Sequence, residues 1–282
     1  MFLILEKKIL NETMTKMIIQ AKEIAKKAKA GQFIILRVNE KGERIPLTIA
    51  DHDEVKGTVT IIYQKVGKTT MLLDKLNEGD YILDFVGPLG NPTETKGYKN
   101  VAVIGGGTGC AIAFPQAKEL YKNGVDVDII AGFRDKSLVI LEDEMKSICN
   151  ELIIMTDNGS NGKKGFVTNA LEQKILEQKN YDLVIAIGPL PMMKAICELT
   201  KKYNIKTIVS MNPIMIDGTG MCGGCRLKVD GKVKFACVDG PDFDGHKVDF
   251  DEAIKRLNAY KDEEKKAVRE LDCNLMRGVE NA

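Results

Sequence analysis

Short apolar runs fill the first third of the chain: "MFLIL", "QFIILRV", "RIPLTIAD", "GTVTIIYQKV" and "YILDFV" follow at close spacing, separated by Gly, Asn, Asp and Lys. Runs of this length, rich in Ile, Val, Thr and Tyr and bounded by turn formers, read as strands, and several in succession predict a small antiparallel barrel or sandwich. One stretch is ambiguous. "TMTKMIIQAKEIAKKA" has the alanines and lysines of a helix, yet "KMIIQA" inside it also reads as strand.

At "KGYKN" (96–100) the pattern changes. "VAVIGGG" is an apolar run ending in glycines, "AIAFPQAKELYKNG" has helical spacing, and "VDVDIIAGF" is a second buried strand. The alternation continues through "ELIIMT", "VTNALEQKILEQ", "DLVIAIG", "LPMMKAICELTKKYN" and "KTIVSMN", which predicts a parallel sheet with crossover helices. After Asn212, "CRLKVDGKVKFAC" reads as a hairpin turning at Asp230-Gly231. Asp251 to Glu270 reads as one charged helix with Ile254, Leu257 and Ala267 on a thin apolar stripe.

Composition narrows the partners. The 282 residues carry a net charge of +1 with bases scattered among acids, so there is no electrostatic footprint for nucleic acid. No run reaches the roughly 18 apolar residues of a membrane span. "MFLILEKKIL" lacks the core and cleavage site of a signal peptide, so a cytoplasmic location is expected. There the seven cysteines are expected as ligands or core residues, not disulfides. Cys110, Cys149, Cys197 and Cys273 stand apart; Cys149 and Cys197 fit apolar helical spacing, and Cys110 fits small-residue packing. His52 and His246 are the only histidines and have no companions for a triad, which disfavours hydrolysis.

Two features carry chemistry. In "VIGGGTGCAIAF", Gly105, Gly106, Gly107 and Gly109 sit between a buried strand and a helix, where the backbone can approach a pyrophosphate. The sixth position of the strict dinucleotide fingerprint is Cys110, so a merely tight turn is the competing reading. Gly188 and Pro189 end a later strand, where ligands sit in open parallel sheets. The second feature is Cys222, Cys225 and Cys237, three thiols in a glycine-rich segment.

Taken together, the β-rich start, "GGGTG" and "GPLPM" resemble the ferredoxin-NADP reductase superfamily over nearly the whole chain. Within it the chain resembles the electron-transfer subunits related to that of dihydroorotate dehydrogenase and the small subunits of sulfide dehydrogenase and NADH-dependent reduced ferredoxin:NADP oxidoreductase. The resemblance implies an α/β plus β chain: an N-terminal antiparallel FAD-binding β-barrel (1–95), a parallel-sheet NAD(P)-binding domain (96–212), a small 2Fe-2S-binding segment (213–250) and a C-terminal helix (251–282). It assigns "RIPLTIAD" to flavin, with Arg44 on the FAD pyrophosphate and Pro46, Leu47 and Thr48 along the ring. A guanidinium suits phosphate because its planar fork binds two oxygens. Gln64, Val66 and Gly67 would follow the cofactor, with Thr69 and Thr70 at its phosphates, and "VGPLGNP" from Gly87 to Asn91 would close the barrel beside the nicotinamide domain.

In the second domain the resemblance makes Gly106, Gly107, Thr108 and Gly109 the pyridine-nucleotide diphosphate loop and places Gly188, Pro189 and Met192 near the nicotinamide. Arg134 and Asp135 argue opposite ways, one toward a 2'-phosphate and the other toward a ribose hydroxyl. The relatives favour NAD(H), with NADP(H) not excluded.

Plant-type 2Fe-2S sites use C-x4-C-x2-C and a distant fourth cysteine. Here the pattern is Asp217-x4-Cys222-x2-Cys225-x11-Cys237. Aspartate is a harder ligand than thiolate, but equally anionic. Asp217 as a plain turn residue, Asp239 or water as the fourth ligand, a structural zinc site and redox thiols are the competing readings. The resemblance favours an iron–sulfur cluster with Asp217 as ligand, because the dihydroorotate dehydrogenase subunits normally have cysteine there. It implies a relay between NAD(H), FAD and the cluster, and a larger flavin and iron–sulfur partner. In the bifurcating case this chain is the NAD(H) branch; the alternatives are an electron-transfer subunit of dihydroorotate dehydrogenase and a stand-alone, zinc-containing flavin reductase.

Overall fold

A computed structural model describes residues 1–276. Chain order in the first unit is β1 (Phe2–Ile9), β2 (Met14–Gln20), α1 (Lys22–Ala25), β3 (Phe33–Arg37), β4 (Ile45–Asp53), β5 (Thr58–Gln64), α2 (Lys68–Leu73), β6 (Tyr81–Ile82) and β7 (Asp84–Leu89). The ambiguous stretch thus divides: "MTKMIIQ" is strand and "KEIA" a single helical turn. Alternation decides it, since Met17 and Ile19 face Ile61 and Val59 across the β2–β5 ladder, and all four are fully buried. Burying each such side chain stabilises by roughly 1.5–3 kcal/mol, and a one-residue slip would turn all of them to solvent.

The antiparallel sheet has the order β6-β1-β2-β5-β4-β3-β7. Its two edges, β6 and β7, are consecutive stretches separated only by Leu83, whose N–H bonds the Val38 carbonyl. One bent segment therefore meets both ends of the sheet and curls it around a core that includes Ile4, Ile34, Leu36, Tyr63 and Phe85.

The second unit runs β8 (Asn100–Gly106), α3 (Gly109–Lys122), β9 (Asp126–Phe133), α4 (Glu142–Lys146), β10 (Glu151–Thr156), α5 (Val167–Leu176), β11 (Leu183–Ile187), α6 (Leu190–Lys202) and β12 (Thr207–Ser210). Its strands are nearly continuous apolar runs buried on both faces, as a helix-covered parallel sheet requires. The order β10-β9-β8-β11-β12 reverses direction between β8 and β11. That switch point opens a crevice at the strand ends that hold Gly106 and Gly188.

The remaining elements are β13 (Arg226–Val229), β14 (Lys232–Phe235), α7 (Ala236–Asp239), β15 (Asp242–Asp244), α8 (Phe250–Leu257) and α9 (Lys261–Met276). The hairpin forms as expected, with Asp230 and Gly231 at positive φ. β15 joins the nucleotide sheet as an antiparallel edge beside β12. The cluster segment is therefore built into the second unit and not appended to it.

Two expectations are corrected. The charged stretch is not one helix: it breaks at Asn258–Tyr260, because the two halves pack on different surfaces, α8 on the core through Phe250, Ala253 and Ile254 and α9 against α2 with Leu271 buried. Cys149 is not helical either; it lies in the turn after α4, half-buried. The side chain of Cys273 and residues 277–282 lie outside the described residues. Among the described residues no helix is long and apolar enough to cross a membrane.

Candidate functional site

The glycine turn is shaped by close approach. A Cβ on Gly109 would stand 2.2 Å from the Ile187 carbonyl oxygen, and one on Gly106 would stand 2.4 Å from Met192 Sδ. A Cβ on Gly188 would meet Met192 Cε at 2.7 Å, so Gly106, Gly188, Pro189 and Met192 pack as one group. Gly107 has φ of +56°, and its N–H donates to the Gly132 carbonyl at 2.8 Å. These contacts bring the start of α3 against the end of β11, a cradle that any side chain would fill, as a nucleotide diphosphate site requires. Cys110 is buried and its thiol pushed up to about 12 by desolvation, so it is a packing residue.

Thr108 Oγ1 donates to Gln64 Oε1 at 3.0 Å, joining the nucleotide loop to the barrel stretch assigned to flavin. Lys118 and Asp51 form a second link, at 2.8 Å. Near the β9 end, Arg134 is exposed, whereas Asp135 accepts from the Ser137 N–H at 2.8 Å and the Asn158 amide at 2.5 Å. Those bonds, led by the Ser137 N–H, hold its carboxyl down at about 2.

On the barrel, Ile45 to Thr48 of β4 are half-buried, while Ile49 and Ala50 are fully buried; β4 therefore presents one open stretch next to exposed Arg44. The residues assigned to flavin phosphates have local duties as well. Thr70 Oγ1 accepts from the Val66 and Gly67 N–H groups and donates to the Gly67 carbonyl at 2.9 Å, capping α2. Thr69 is buried and donates to Glu43 at 3.3 Å. Gly87 lies against Ile34, and the following loop is stapled to the cluster segment by Asn91, whose N–H donates to the Gly240 carbonyl at 2.7 Å.

The four candidate metal ligands form two pairs. Cys225 and Cys237 are buried with their sulfurs 3.2 Å apart. Asp217 and exposed Cys222 are joined through the backbone, the Cys222 N–H donating to Asp217 Oδ2 at 2.7 Å. The Thr219 N–H bonds Oδ1 at 2.9 Å, and these backbone donors lower the Asp217 pKa. Gly218, Gly220 and Gly223 take φ of +74°, +87° and +67°, wrapping the loop in a way only glycine adopts without strain. Among the described residues no three His, Cys, Asp or Glu side chains converge on one point, as a single metal ion would require. Three thiols and one carboxylate match in number the four protein ligands of a two-iron cluster, two per iron. Asp239 is engaged elsewhere, accepting from the Phe235 N–H at 2.7 Å and pairing with Lys234.

A cavity of about 740 Å³ connects these parts. One wall is Arg44 and Pro46 of the barrel, another Met211 to Ile216 after β12, and a third Gly224 and Arg226 of the cluster loop. Of the residues assigned to flavin, Arg44 and Pro46 line it, whereas Leu47, Thr48, Gln64, Val66, Gly67, Thr69 and Thr70 do not. Arg256 and Tyr260, which also line it, escaped the sequence reading because a charged helix carries no motif.

Comparison with known proteins agrees with this layout. Residues 212–249 match the iron-sulfur cluster binding domain of dihydroorotate dehydrogenase B, and residues 103–198 match the oxidoreductase NAD-binding domain. A dihydroorotate dehydrogenase B electron transfer subunit homolog of Thermotoga maritima is 47% identical over 88% of this chain and 87% of its own. The corresponding subunit of Clostridium perfringens is 37% identical over 79% of this chain and 88% of its own. A chain of the electron-bifurcating NADH-dependent reduced ferredoxin-NADP oxidoreductase superposes with TM-score 0.90 and 44% identity, covering 95% of this chain and 96% of that one. At 17% identity, the cytochrome b5 reductase domain of Ulva prolifera nitrate reductase shares the fold with TM-score 0.60, over 73% of this chain and 93% of that one. The chain belongs to the family of dihydroorotate dehydrogenase B electron-transfer subunits and their homologues, oxidoreductase subunits with an NAD-binding domain and an iron–sulfur domain.

Proposed function

We propose that this chain passes electrons between NAD(H), FAD and a 2Fe-2S cluster as the cytoplasmic NAD(H) branch of an electron-bifurcating ferredoxin:NADP oxidoreductase, working with a larger flavin and iron–sulfur subunit. The observation that carries this reading is the superposition on a chain of the NADH-dependent reduced ferredoxin-NADP oxidoreductase over 95% of this chain, and a cavity bounded by Arg44 and Pro46 on one side and Gly224 and Arg226 on the other accords with it. When bound, nicotinamide and flavin exchange a hydride, while flavin and cluster exchange single electrons.

The chain's own contribution is alignment. Arg44 neutralises flavin phosphate, and Pro46, Leu47 and Thr48 set the plane of the ring. Gly106, Gly107, Thr108 and Gly109 seat the pyridine-nucleotide diphosphate, while Gly188, Pro189 and Met192 limit where the nicotinamide can lie. The Thr108–Gln64 hydrogen bond keeps the two sites in register. Asp217, Cys222, Cys225 and Cys237 would hold the cluster. No acid or base is needed for a hydride passed between cofactors.

A second reading, the electron-transfer subunit of an NAD-linked dihydroorotate dehydrogenase, is favoured by the names of the relatives. Aspartate at position 217, where those subunits normally have cysteine, favours the first. Metal, sulfide and flavin analysis of anaerobically purified protein tests the relay: FAD with iron and acid-labile sulfide is expected, and flavin with zinc would overturn it. Partner capture then separates the two readings. A larger subunit with flavin and ferredoxin-type clusters supports the first; a dihydroorotate-oxidising barrel supports the second.

A further inference from the structure

Two arginines grip the cluster loop from outside. Arg226 Nη1 donates to the Gly223 carbonyl at 3.1 Å, and Arg256 Nη2 donates to the Gly224 carbonyl at 3.4 Å. In a trans peptide the C=O and N–H of one unit point in opposite directions, so a carbonyl drawn toward one side turns the next N–H toward the other. The Gly223–Gly224 unit does this: its carbonyl meets Arg226 while the Gly224 N–H donates to Cys222 Sγ at 3.4 Å. In the next unit the carbonyl meets Arg256, which leaves the Cys225 N–H pointing the other way.

Arg256 reaches the loop from α8, outside the matched iron–sulfur segment 212–249. That helix is fixed at both sides. Glu252 pairs with Lys228 of β13 at 3.0 Å, and Asp251 pairs with Lys194 of α6 at 2.7 Å. Asp249 caps it, and the Asp249 N–H donates to the Lys228 carbonyl at 3.0 Å. Among the described residues Arg37 is the one arginine in an ion pair, with Asp84; neither loop arginine has a carboxylate oxygen within 4.0 Å, although Glu43 and Glu264 line the same cavity.

We propose that Arg256, seconded by Arg226, is a positioning residue for the cluster: it orients the loop peptides so that their N–H groups face the ligand sulfurs, and thereby raises the reduction potential. The inference rests on the iron–sulfur reading of Asp217, Cys222, Cys225 and Cys237. N–H···S bonds and a nearby positive charge both favour the more negative, reduced state. Arg256 is half-buried and Arg226 exposed, so water screens Arg226 more strongly and Arg256 has the larger effect.

The test is an EPR-monitored redox titration of the full chain, purified anaerobically, with iron and acid-labile sulfide measured on the same samples. Arg256→Gln is expected to keep wild-type iron and sulfide while shifting the one-electron equilibrium about tenfold toward the oxidised form, about 59 mV. Arg226→Gln shifts it less, and Arg256→Lys, which keeps the charge and one donor, recovers part of the loss. A wild-type midpoint in iron-replete Arg256→Gln overturns the proposal. So does iron loss from Arg256→Gln and Arg256→Lys alike with the residual cluster unshifted, which makes the arginine only structural. Wild-type protein without iron would instead overturn the relay reading itself.

Discussion

The nucleotide loop and the cluster loop are both rich in glycine, but for different reasons. At Gly106 and Gly109 the glycine is demanded by neighbours, since an added Cβ would stand 2.4 Å from Met192 and 2.2 Å from the Ile187 carbonyl. At Gly223 the demand is conformational: φ is +67°, yet the nearest atom to an added Cβ is 3.7 Å away. At Gly106 and Gly109 the first loop keeps its shape by contact, while Gly107 between them turns at φ +56° in open space. The second lies at the surface with Cys222 exposed, and keeps its shape through hydrogen bonds to Asp217 and from Arg226 and Arg256. Glycine content alone therefore does not say whether a binding loop is preformed; what surrounds each glycine does.

The largest expected effect breaks the cluster loop alone. Cys225→Ala should leave iron and sulfide near zero while FAD binding persists, because the residues assigned to flavin lie on the barrel; metal and flavin analysis of one preparation reads both. Asp217→Cys should retain iron with an altered EPR signal, and an unchanged spectrum would mean that Asp217 is only a turn residue.

Next in size is the packed loop. Gly109→Ala forces β11 and α3 apart and should cost about 3 kcal/mol or more, whereas Gly223→Ala should cost about 1 kcal/mol. Denaturant unfolding of the two variants compares them, and equal losses would contradict the distinction drawn between the loops.

The seam between the two regions gives a pH effect. Thr93 Oγ1 donates to Asp242 at 2.5 Å, but Asp242 Oδ1 is buried without a partner, and desolvation lifts the carboxyl from 3.8 to about 6. The folded state holds this proton more tightly than the unfolded chain, so the contribution favours folding below pH 3.8 and is lost as pH rises through about 6. The full difference is about 3 kcal/mol. Asp242→Asn should flatten the stability profile between those pH values and stabilise the protein at pH 7, measured by thermal unfolding across pH.

The smallest effect concerns the adenosine end. Asp135 is held by two hydrogen bonds and Arg134 is exposed. Arg134→Ala should lower NADPH affinity several-fold and leave NADH affinity unchanged, which nucleotide titration reads.

Most of the strands and both sheet types were legible, because short turn-bounded runs mark the antiparallel unit and continuous apolar runs alternating with helices mark the parallel sheet. The glycine turn and the ligand spacing were legible because both are local patterns. What escaped is non-local. β15 is "DFD", with no apolar run of its own, and becomes a strand only by pairing with β12. The curl of the antiparallel sheet depends on one bent segment meeting both sheet edges, and the grip of Arg226 and Arg256 on the loop carbonyls has no spacing rule. The break between α8 and α9 follows from the different surfaces on which the two helices pack, which composition does not mark.

The most direct test of the relay is an anaerobic titration of the full chain with NADH, followed by flavin absorbance and by EPR in parallel. Bleaching of the flavin together with a reduced 2Fe-2S signal, both lost when Thr108 and Gly109 are replaced, is the predicted result. Flavin bleaching with no iron signal at any NADH concentration would contradict it.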